Sequence, residues 1–128
     1  MSGRPSERPD AAQLIARADL DGARAAIAGV AVATPTIVCA DLAEAAQMPV
    51  ALKAECLQLT GSFKLRGALH KVSALGERAA AGLITASAGN HARAVAQAAR
   101  VRGIACEVFM PRDAPVVGWS DSTPGSYY

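Results

Sequence analysis

Residues 83–110 read LITASAGNHARAVAQAARVRGIACEVFM, and their pattern of short apolar runs indicates the fold class. Leu83–Ala86 and Cys106–Met110 are short apolar runs that predict strands, Ser87–Asn90 predicts a tight turn, and a helix is predicted from about Asn90 to Arg102. The helix is expected to turn its small apolar side chains inward and its polar ones to solvent: Ala92, Val95, Ala96 and Ala99 inward, and Arg93, Gln97 and Arg100 outward. A strand, a helix and a second strand in this order predict an α/β fold with parallel pairing.

A second unit of the same kind precedes this stretch. Val50–Glu55 (VALKAE) alternates as a strand does, Cys56–Gly61 is predicted to form a loop, and Ser62 is a good N-cap for a helix that runs to about Leu75. Apolar residues repeat along this helix at helical spacing and are expected to face the core: Leu65, Leu69, Val72 and either Ala68 or Leu75. The predicted architecture is therefore one of short parallel strands that alternate with helices.

The chain before position 50 contributes further local elements. Residues 11–28 favour a helix, and residues 41–47 favour one or two helical turns. Thr34-Pro35-Thr36 predicts a turn, because proline pushes the residue before it away from helical angles. Residues 1–10, in which two prolines stand among charges, predict a disordered N-terminus.

Composition narrows the function classes. The 128 residues are 52% hydrophobic, which predicts one small domain with a core. A net charge of +2 without a basic stripe argues against nucleic-acid binding, and no apolar run approaches the ~20 residues of a membrane span. The N-terminal sequence lacks the apolar stretch of a secretory signal. Three cysteines without a CxxC pair, together with two histidines, form no disulfide framework or zinc signature, so we expect no metal and a reduced, cytoplasmic location.

The last eleven residues differ in composition from the rest. Thirty residues of the chain are alanine, yet none follows Ala114, and residues 118–128 (GWSDSTPGSYY) hold three of the five aromatic residues. Chance in a short window is one explanation, and a different origin of this segment is the other. We therefore expect an atypical tail over residues 118–128.

Two segments carry side chains suited to chemistry. They are TGSFKLRGA (Thr60–Ala68) and TASAGNH (Thr85–His91), and each places small and hydroxyl residues at the start of a predicted helix. Unpaired N–H groups and the positive end of the helix dipole suit a carboxylate or a phosphate there. Lys64 lies in the opening turn, where the dipole disfavours its protonated form, and a neutral amine is what attack on an aldehyde requires. Neither segment matches a GxGxxG or GxxxxGK(S/T) phosphate loop.

Taken singly, each of these residues has an ordinary structural explanation. Lys64 and His91 fit solvated surface residues, and Ser62 fits a helix cap. The SAGN segment fits a plain turn, and Arg66 fits a solvated or structurally paired side chain. The chemistry follows only from their combination.

In combination, the segments resemble the threonine/serine dehydratase branch of the fold-type II pyridoxal-phosphate enzymes, in particular the threonine ammonia-lyases. The similarity covers about residues 12–117 in one register and rests on four segments: Thr34-Pro35-Thr36, LKAECLQLTGSFKLRGA (Leu52–Ala68), ITASAGNHARAVA (Ile84–Ala96) and VFMPRDAPVV (Val108–Val117). Leu65 after the lysine separates this branch from cysteine synthases (GSxKDR) and threonine synthases (GSFKDR), which carry aspartate there. The implied fold is an incomplete fold-type II, tryptophan synthase β-like α/β fold.

The resemblance implies a cofactor, a substrate and a role for each matching residue. Lys64 would carry pyridoxal 5'-phosphate covalently and move the Cα proton of an amino-acid substrate, Phe63 would pack beside the cofactor ring, and Asn90 would hydrogen-bond its phenolic oxygen. The loop that holds the substrate carboxylate would consist of Ser87, Ala88, Gly89 and His91. The implied reaction is the β-elimination that converts L-threonine into 2-oxobutanoate and ammonia, with serine dehydratase or serine racemase chemistry as the alternative. The family is typically homo-oligomeric, and isoleucine biosynthesis is the implied setting.

The chain departs from the family pattern in two places. Arg93-Ala94 stand where the family typically has Gln-Gly, and Gly118 begins the atypical tail where the family continues with a lysine-led stretch. No glycine-rich run of the kind that binds the cofactor phosphate occurs in the chain. The resemblance implies that residues 11–61 begin the large cofactor domain and that residues 62–117 form the first part of the small domain.

Three functional hypotheses follow. The first is an N-terminal fragment of a threonine ammonia-lyase that is inactive alone, with an incomplete core and a tendency to aggregate. The second is a small competent enzyme made whole by oligomerisation, and the third is a non-catalytic remnant that binds an amino acid or a partner chain. Lys64 and Asn90 together with the altered tail favour the first.

Overall fold

The computed structural model describes residues 19–114, which form helices and short strands in an α/β arrangement. In chain order these elements are α1 (Leu20–Ile27), β1 (Thr36–Val38), α2 (Ala40–Ala46), β2 (Ala51–Lys53), a 3-10 turn (Glu55–Leu57), α3 (Lys64–Leu75), a second 3-10 segment (Gly76–Ala81), β3 (Leu83–Ala86), α4 (Asn90–Val101) and β4 (Cys106–Phe109). The predictions for residues 1–18 and 115–128, among them the disordered N-terminus and the atypical tail, lie outside the described residues.

The unit β3–α4–β4 confirms the predicted parallel pairing. Strands β3 and β4 run parallel, with Leu83 opposite Cys106 and Ala86 opposite Phe109. Strand β3 has the predicted bounds, whereas α4 and β4 each end one residue earlier than predicted. Gly103 adopts a φ of +64° just after α4, a conformation that glycine reaches without strain, and the chain turns there toward β4.

The other strand pair corrects the expectation of parallel strands throughout. Strands β1 and β2 are antiparallel, with Thr36 opposite Lys53 and Val38 opposite Ala51. The helix between them has only seven residues, and its C-cap Gln47 has a left-handed backbone that turns the chain, so β2 returns alongside β1. Thr36, expected in a turn, therefore opens a strand, and the predicted strand over 50–55 shortens to three residues.

The core lies on both sides of α4. One buried cluster joins α3 and α4 with the segment between α3 and β3, and it consists of Leu65, Leu69, Val72, Ala79, Ala94 and Ala98. The other joins α4 to β4 and consists of Ala92, Ala96, Ala99, Cys106 and Val108. Because α4 is covered on two faces, Arg93 and Gln97 are half-buried rather than fully solvated as predicted, and Val95 is also only half-buried.

Two further observations concern residues 19–114 alone. None of their helices is both long and apolar enough to cross a membrane. Within the same range, no group of three His, Cys, Asp or Glu side chains is placed to hold a metal ion.

Candidate functional site

Helix α3 begins at Lys64 without a side-chain cap. Phe63 occupies the N-cap position with helical backbone angles, and no side-chain hydrogen bond caps the helix. The prediction that Ser62 is the cap is therefore wrong, because Phe63 takes that position and Ser62 is buried before it. The Lys64 Nζ lies 5.6 Å from the centre of the Phe63 ring, within cation–π distance, and both side chains are exposed. An accessible amine thus stands beside an aromatic ring at the start of α3.

The turn before α3 contains two buried hydroxyl groups without partners. Gly61 has a φ of +70°, and its N–H donates to the carbonyl oxygen of Gln58 at 2.7 Å. On either side of it, Thr60 and Ser62 are only 6% and 7% exposed, and neither hydroxyl oxygen has a hydrogen-bond partner. Buried polar groups in folded proteins normally form hydrogen bonds. These two hydroxyls therefore remain available to hydrogen-bond a bound group or a water molecule.

Arg66, two residues after Lys64, forms a bidentate ion pair with Glu55. Its Nε donates to Oε2 at 2.9 Å and its Nη2 to Oε1 at 2.8 Å, and Nη2 also donates to the carbonyl oxygen of Val32 at 2.9 Å. The side chain of Gln58 bonds to both the N–H and the carbonyl of Val32, at 2.9 and 3.0 Å. Of the two alternatives that the sequence left open for Arg66, a solvated or a structurally paired side chain, the structure shows the second, with a partner that the sequence did not predict.

Two more residues complete the environment of Glu55. The Thr34 hydroxyl donates to Oε1 of Glu55 at 2.5 Å, and the Lys53 Nζ donates to the carbonyl oxygen of Thr34 at 2.5 Å. The hydrogen bonds from Arg66, followed by that from Thr34, lower the pKa of Glu55 from 4.5 to about 2. The same ion pair raises the pKa of Arg66. Glu55 is therefore an anion at neutral pH, tied to the first turn of α3.

The segment Ser87–His91 leads from β3 into α4. The Ser87 N–H donates to the carbonyl oxygen of Phe109 at 3.0 Å, which ties the segment to the end of β4. The Ser87 hydroxyl accepts from the Gly89 N–H at 3.2 Å, and Gly89 is the N-cap of α4 without a side-chain cap of its own. Asn90 and His91 are exposed in the first turn. The first N–H groups of α4 therefore meet no capping side chain, as suits an anion site.

Each predicted site residue lies at the start of one of two helices that pack together. Leu65 and Leu69 of α3 share a buried cluster with Ala94 and Ala98 of α4. Phe63 and Lys64 stand at the first helix start, while Ser87, Ala88, Gly89, Asn90 and His91 stand at the second. Ser87 and Ala88 are half-buried and the other five are exposed.

Sequence reasoning missed the role of Glu55, which it treated as the end of a strand. Its partners lie 11 and 21 residues away in the chain, so no local pattern reveals them. The one signal in the sequence that could have pointed to Glu55 is its presence in the segment Leu52–Ala68, which also contains Lys64 and Arg66 and matches the family as a whole.

The residues at the start of α3 fit pyridoxal phosphate. Lys64 offers an exposed amine to an aldehyde, and Phe63 offers a ring face to an aromatic cofactor. The hydroxyls of Thr60 and Ser62, which have no hydrogen-bond partner, add potential hydrogen-bonding groups to the turn before α3. The uncapped start of α4 favours a carboxylate.

Comparison with known proteins agrees with this chemistry. The family model described as pyridoxal-phosphate dependent enzyme matches residues 27–122. The catabolic L-threonine dehydratase TdcB of Staphylococcus aureus is 41% identical over 107 residues, which are 82% of this chain and 31% of that protein. A serine racemase of Oryza sativa subsp. indica is 50% identical over 64 residues, 49% of this chain and 19% of that protein.

Among solved structures, the processed form of threonine deaminase isoform 2 from Solanum lycopersicum superposes with a TM-score of 0.67 at 34% identity, over 84% of this chain and 30% of that one. The chain spans about a third or less of the length of these relatives. Since the family model covers three quarters of the sequence and the fold agrees with it, the chain belongs to the pyridoxal-phosphate dependent enzyme family.

Proposed function

We propose that the chain carries the lysine-bearing part of a threonine ammonia-lyase, which converts L-threonine into 2-oxobutanoate and ammonia. The observation that carries the proposal is Lys64, an exposed amine at an uncapped helix start beside two partnerless buried hydroxyls. Relatives named as threonine dehydratases support the choice of substrate. A cytoplasmic location, homo-oligomeric assembly, isoleucine biosynthesis and the division of the chain near residue 61 remain predictions from the resemblance.

Each predicted residue has a task in this proposal. When bound, pyridoxal phosphate supplies an electron sink for negative charge at the substrate Cα. The Lys64 Nζ would hold the cofactor covalently and would serve as the base for the Cα proton, while Phe63 would cover the ring and the Asn90 amide would hydrogen-bond the phenolic oxygen. The substrate carboxylate is held by the start of α4, at Ser87, Ala88, Gly89 and His91, because the helix dipole and free N–H groups there favour an anion.

A serine racemase or serine dehydratase activity is the second candidate. It is favoured by relatives named as serine racemases, which match this chain about as closely as the threonine dehydratases do. We expect the 128 residues alone to release no 2-oxoacid from L-threonine or L-serine, because the sequence holds no glycine-rich run for the cofactor phosphate. Release of 2-oxobutanoate or pyruvate by the purified chain would contradict this expectation and would also distinguish the two substrates.

Covalent trapping tests the role of Lys64 directly. The chain has only three lysines, at positions 53, 64 and 71, so borohydride reduction with pyridoxal phosphate followed by peptide mass spectrometry assigns the label without ambiguity. We expect Lys64 to take most of the label, Lys64→Ala to lose it, and Lys71→Ala, which removes an exposed lysine of the same helix, to keep it. Equal labelling of the three lysines would contradict the proposal.

A further inference from the structure

We propose that the Glu55–Arg66 ion pair is the positioning device of Lys64, which holds the first turn of α3 in place of a helix cap. The inference rests on the proposed function, because it concerns the lysine to which that function gives the cofactor. Neither Glu55 nor Arg66 is required to touch the cofactor.

No capping side chain holds the start of α3. Its N-cap residue, Phe63, makes no side-chain capping bond, and the first turn contains no acidic residue. Helix ends without caps fray, and fraying would move the backbone from which the Lys64 side chain projects.

The ion pair supplies what is missing. Arg66 is the third residue of α3, and its two parallel N–H···O bonds to Glu55 fix both the distance and the angle between the first turn of α3 and the 3-10 turn at Glu55–Leu57. The bond from Arg66 to the Val32 carbonyl and the bond from Thr34 to Glu55 anchor both partners to the loop before β1.

Burial around Lys64 agrees with this role. Leu65 is fully buried and Ser62 is 7% exposed, so the backbone on both sides of Lys64 is packed while the Lys64 side chain itself is exposed. The ion pair is partly shielded as well, with side-chain exposures of 30% for Arg66 and 14% for Glu55. The arrangement holds the base of a reactive side chain and leaves its amine accessible.

The test compares two lysines of one helix. Lys71 lies seven residues after Lys64 on α3 and is exposed. The quantity measured is the ratio of phosphopyridoxyl label at Lys64 to that at Lys71, on the full chain with pyridoxal phosphate. A general loosening of α3 affects both lysines and therefore cancels in this ratio. We expect Glu55→Gln to lower this ratio by about fivefold, as the loss of a charge-assisted pair does, and Glu55→Asp, which keeps the carboxylate, to fall between. Asp21→Asn, which breaks the exposed pair with Arg24, is the matched control and should leave the ratio unchanged.

The outcomes separate the inference from the function on which it rests. A wild-type ratio near one contradicts the proposed function, and the inference falls with it. A high wild-type ratio that Glu55→Gln leaves unchanged overturns the inference alone. If Glu55→Gln does not fold, Arg66→Lys takes its place, because it keeps the positive charge but cannot form the two parallel hydrogen bonds of the guanidinium. A lowered labelling ratio together with faster amide hydrogen exchange at residues 64–66 is then the supporting result.

Discussion

At the scale of single residues, the Glu55 carboxylate is bound by side chains from two distant parts of the chain. It accepts three side-chain hydrogen bonds, two from Arg66 and one from Thr34. Protonation of this carboxyl breaks the charge assistance of all three bonds at once. The ionisation of one side chain is therefore coupled to the attachment of α3 to the loop before β1.

This coupling predicts an acid-labile stability. The folded-state pKa of Glu55 is lowered from 4.5 to about 2, so its contribution is fully present above about pH 4.5 and is lost as the pH falls toward 2. We expect that loss to be about 1 to 3 kcal/mol in the free energy of unfolding. Urea unfolding between pH 2 and pH 7 measures it, and Glu55→Gln should flatten the profile. The exposed Glu77→Gln serves as control, and a Glu55→Gln profile as steep as that of the wild type would refute the coupling.

The residue scale also shows what the sequence could indicate about the site. Lys64 and Asn90 stand in contiguous segments, so a family resemblance was enough to select them. The Glu55–Arg66 pair depends on a chain reversal between the 3-10 turn at Glu55–Leu57 and α3 that no local pattern encodes. Ser62 was misassigned because N-cap preference describes isolated helix starts, whereas packing buried this hydroxyl one residue before the cap.

At the scale of elements, two glycines around the start of α3 have opposite requirements. Gly61 has a φ of +70°, a conformation that any residue with a Cβ adopts only under strain, while Gly67 lies inside α3 with ordinary helical angles. A Cβ at Gly67 would meet nothing within 4 Å, because the residue faces a cavity of about 280 Å³ between α1 and α3.

Alanine substitutions at Gly61 and Gly67 are therefore predicted to change the stability of the protein in opposite directions. We expect Gly61→Ala to lower the free energy of unfolding by about 1 kcal/mol, through strain at positive φ. Gly67→Ala should raise it by about 0.5 to 1 kcal/mol, through helix propensity. Denaturant titration of the two variants beside the wild type measures both, and a change of the same sign in both would show that backbone conformation does not decide them.

Elements bounded by glycines were predictable, and those defined by distant partners were not. Gly89 and Gly103 enclose α4, so its limits were predicted to within one residue. Strand β1 lies directly after Pro35 and depends on pairing with β2, whose residues come 15 positions later. The second buried face of α4 escaped prediction because alanine gives a weak hydrophobic signal whichever way it points.

At the scale of the whole molecule, the described residues leave much apolar surface uncovered. Within residues 19–114 the strands form two separate pairs, so every one of these strands has a free edge. Val38 on β1 is 81% exposed and Ile84 on β3 is 74% exposed. Exposed edges and apolar side chains of this kind favour association between chains.

We therefore expect the 128-residue chain to self-associate in a concentration-dependent manner. Val38→Lys and Ile84→Lys should each weaken the association, because a charge on an edge strand disfavours pairing with another chain. Position 84 lies opposite Glu107 in the strand register, so its lysine gains an opposite charge within the protein. Sedimentation velocity at several concentrations measures the effect. Ala80→Lys adds the same charge at an exposed position outside the strands, and a reduction as large as that of the edge variants would point to net charge as the cause.

The burial of α4 on two faces limits how this sequence can diverge. Ala94 and Ala98 lie against α3, and Ala92, Ala96 and Ala99 lie against the β3–β4 side, so a larger side chain at any of the five pushes two layers apart. Leucine and methionine can exchange elsewhere in the core at small cost, whereas these positions tolerate little beyond glycine or serine. Among related sequences, this helix should keep its small residues even where the surrounding positions have drifted. Its alanines are thus a structural requirement in a chain whose overall alanine richness looks, in the sequence alone, like simple compositional bias.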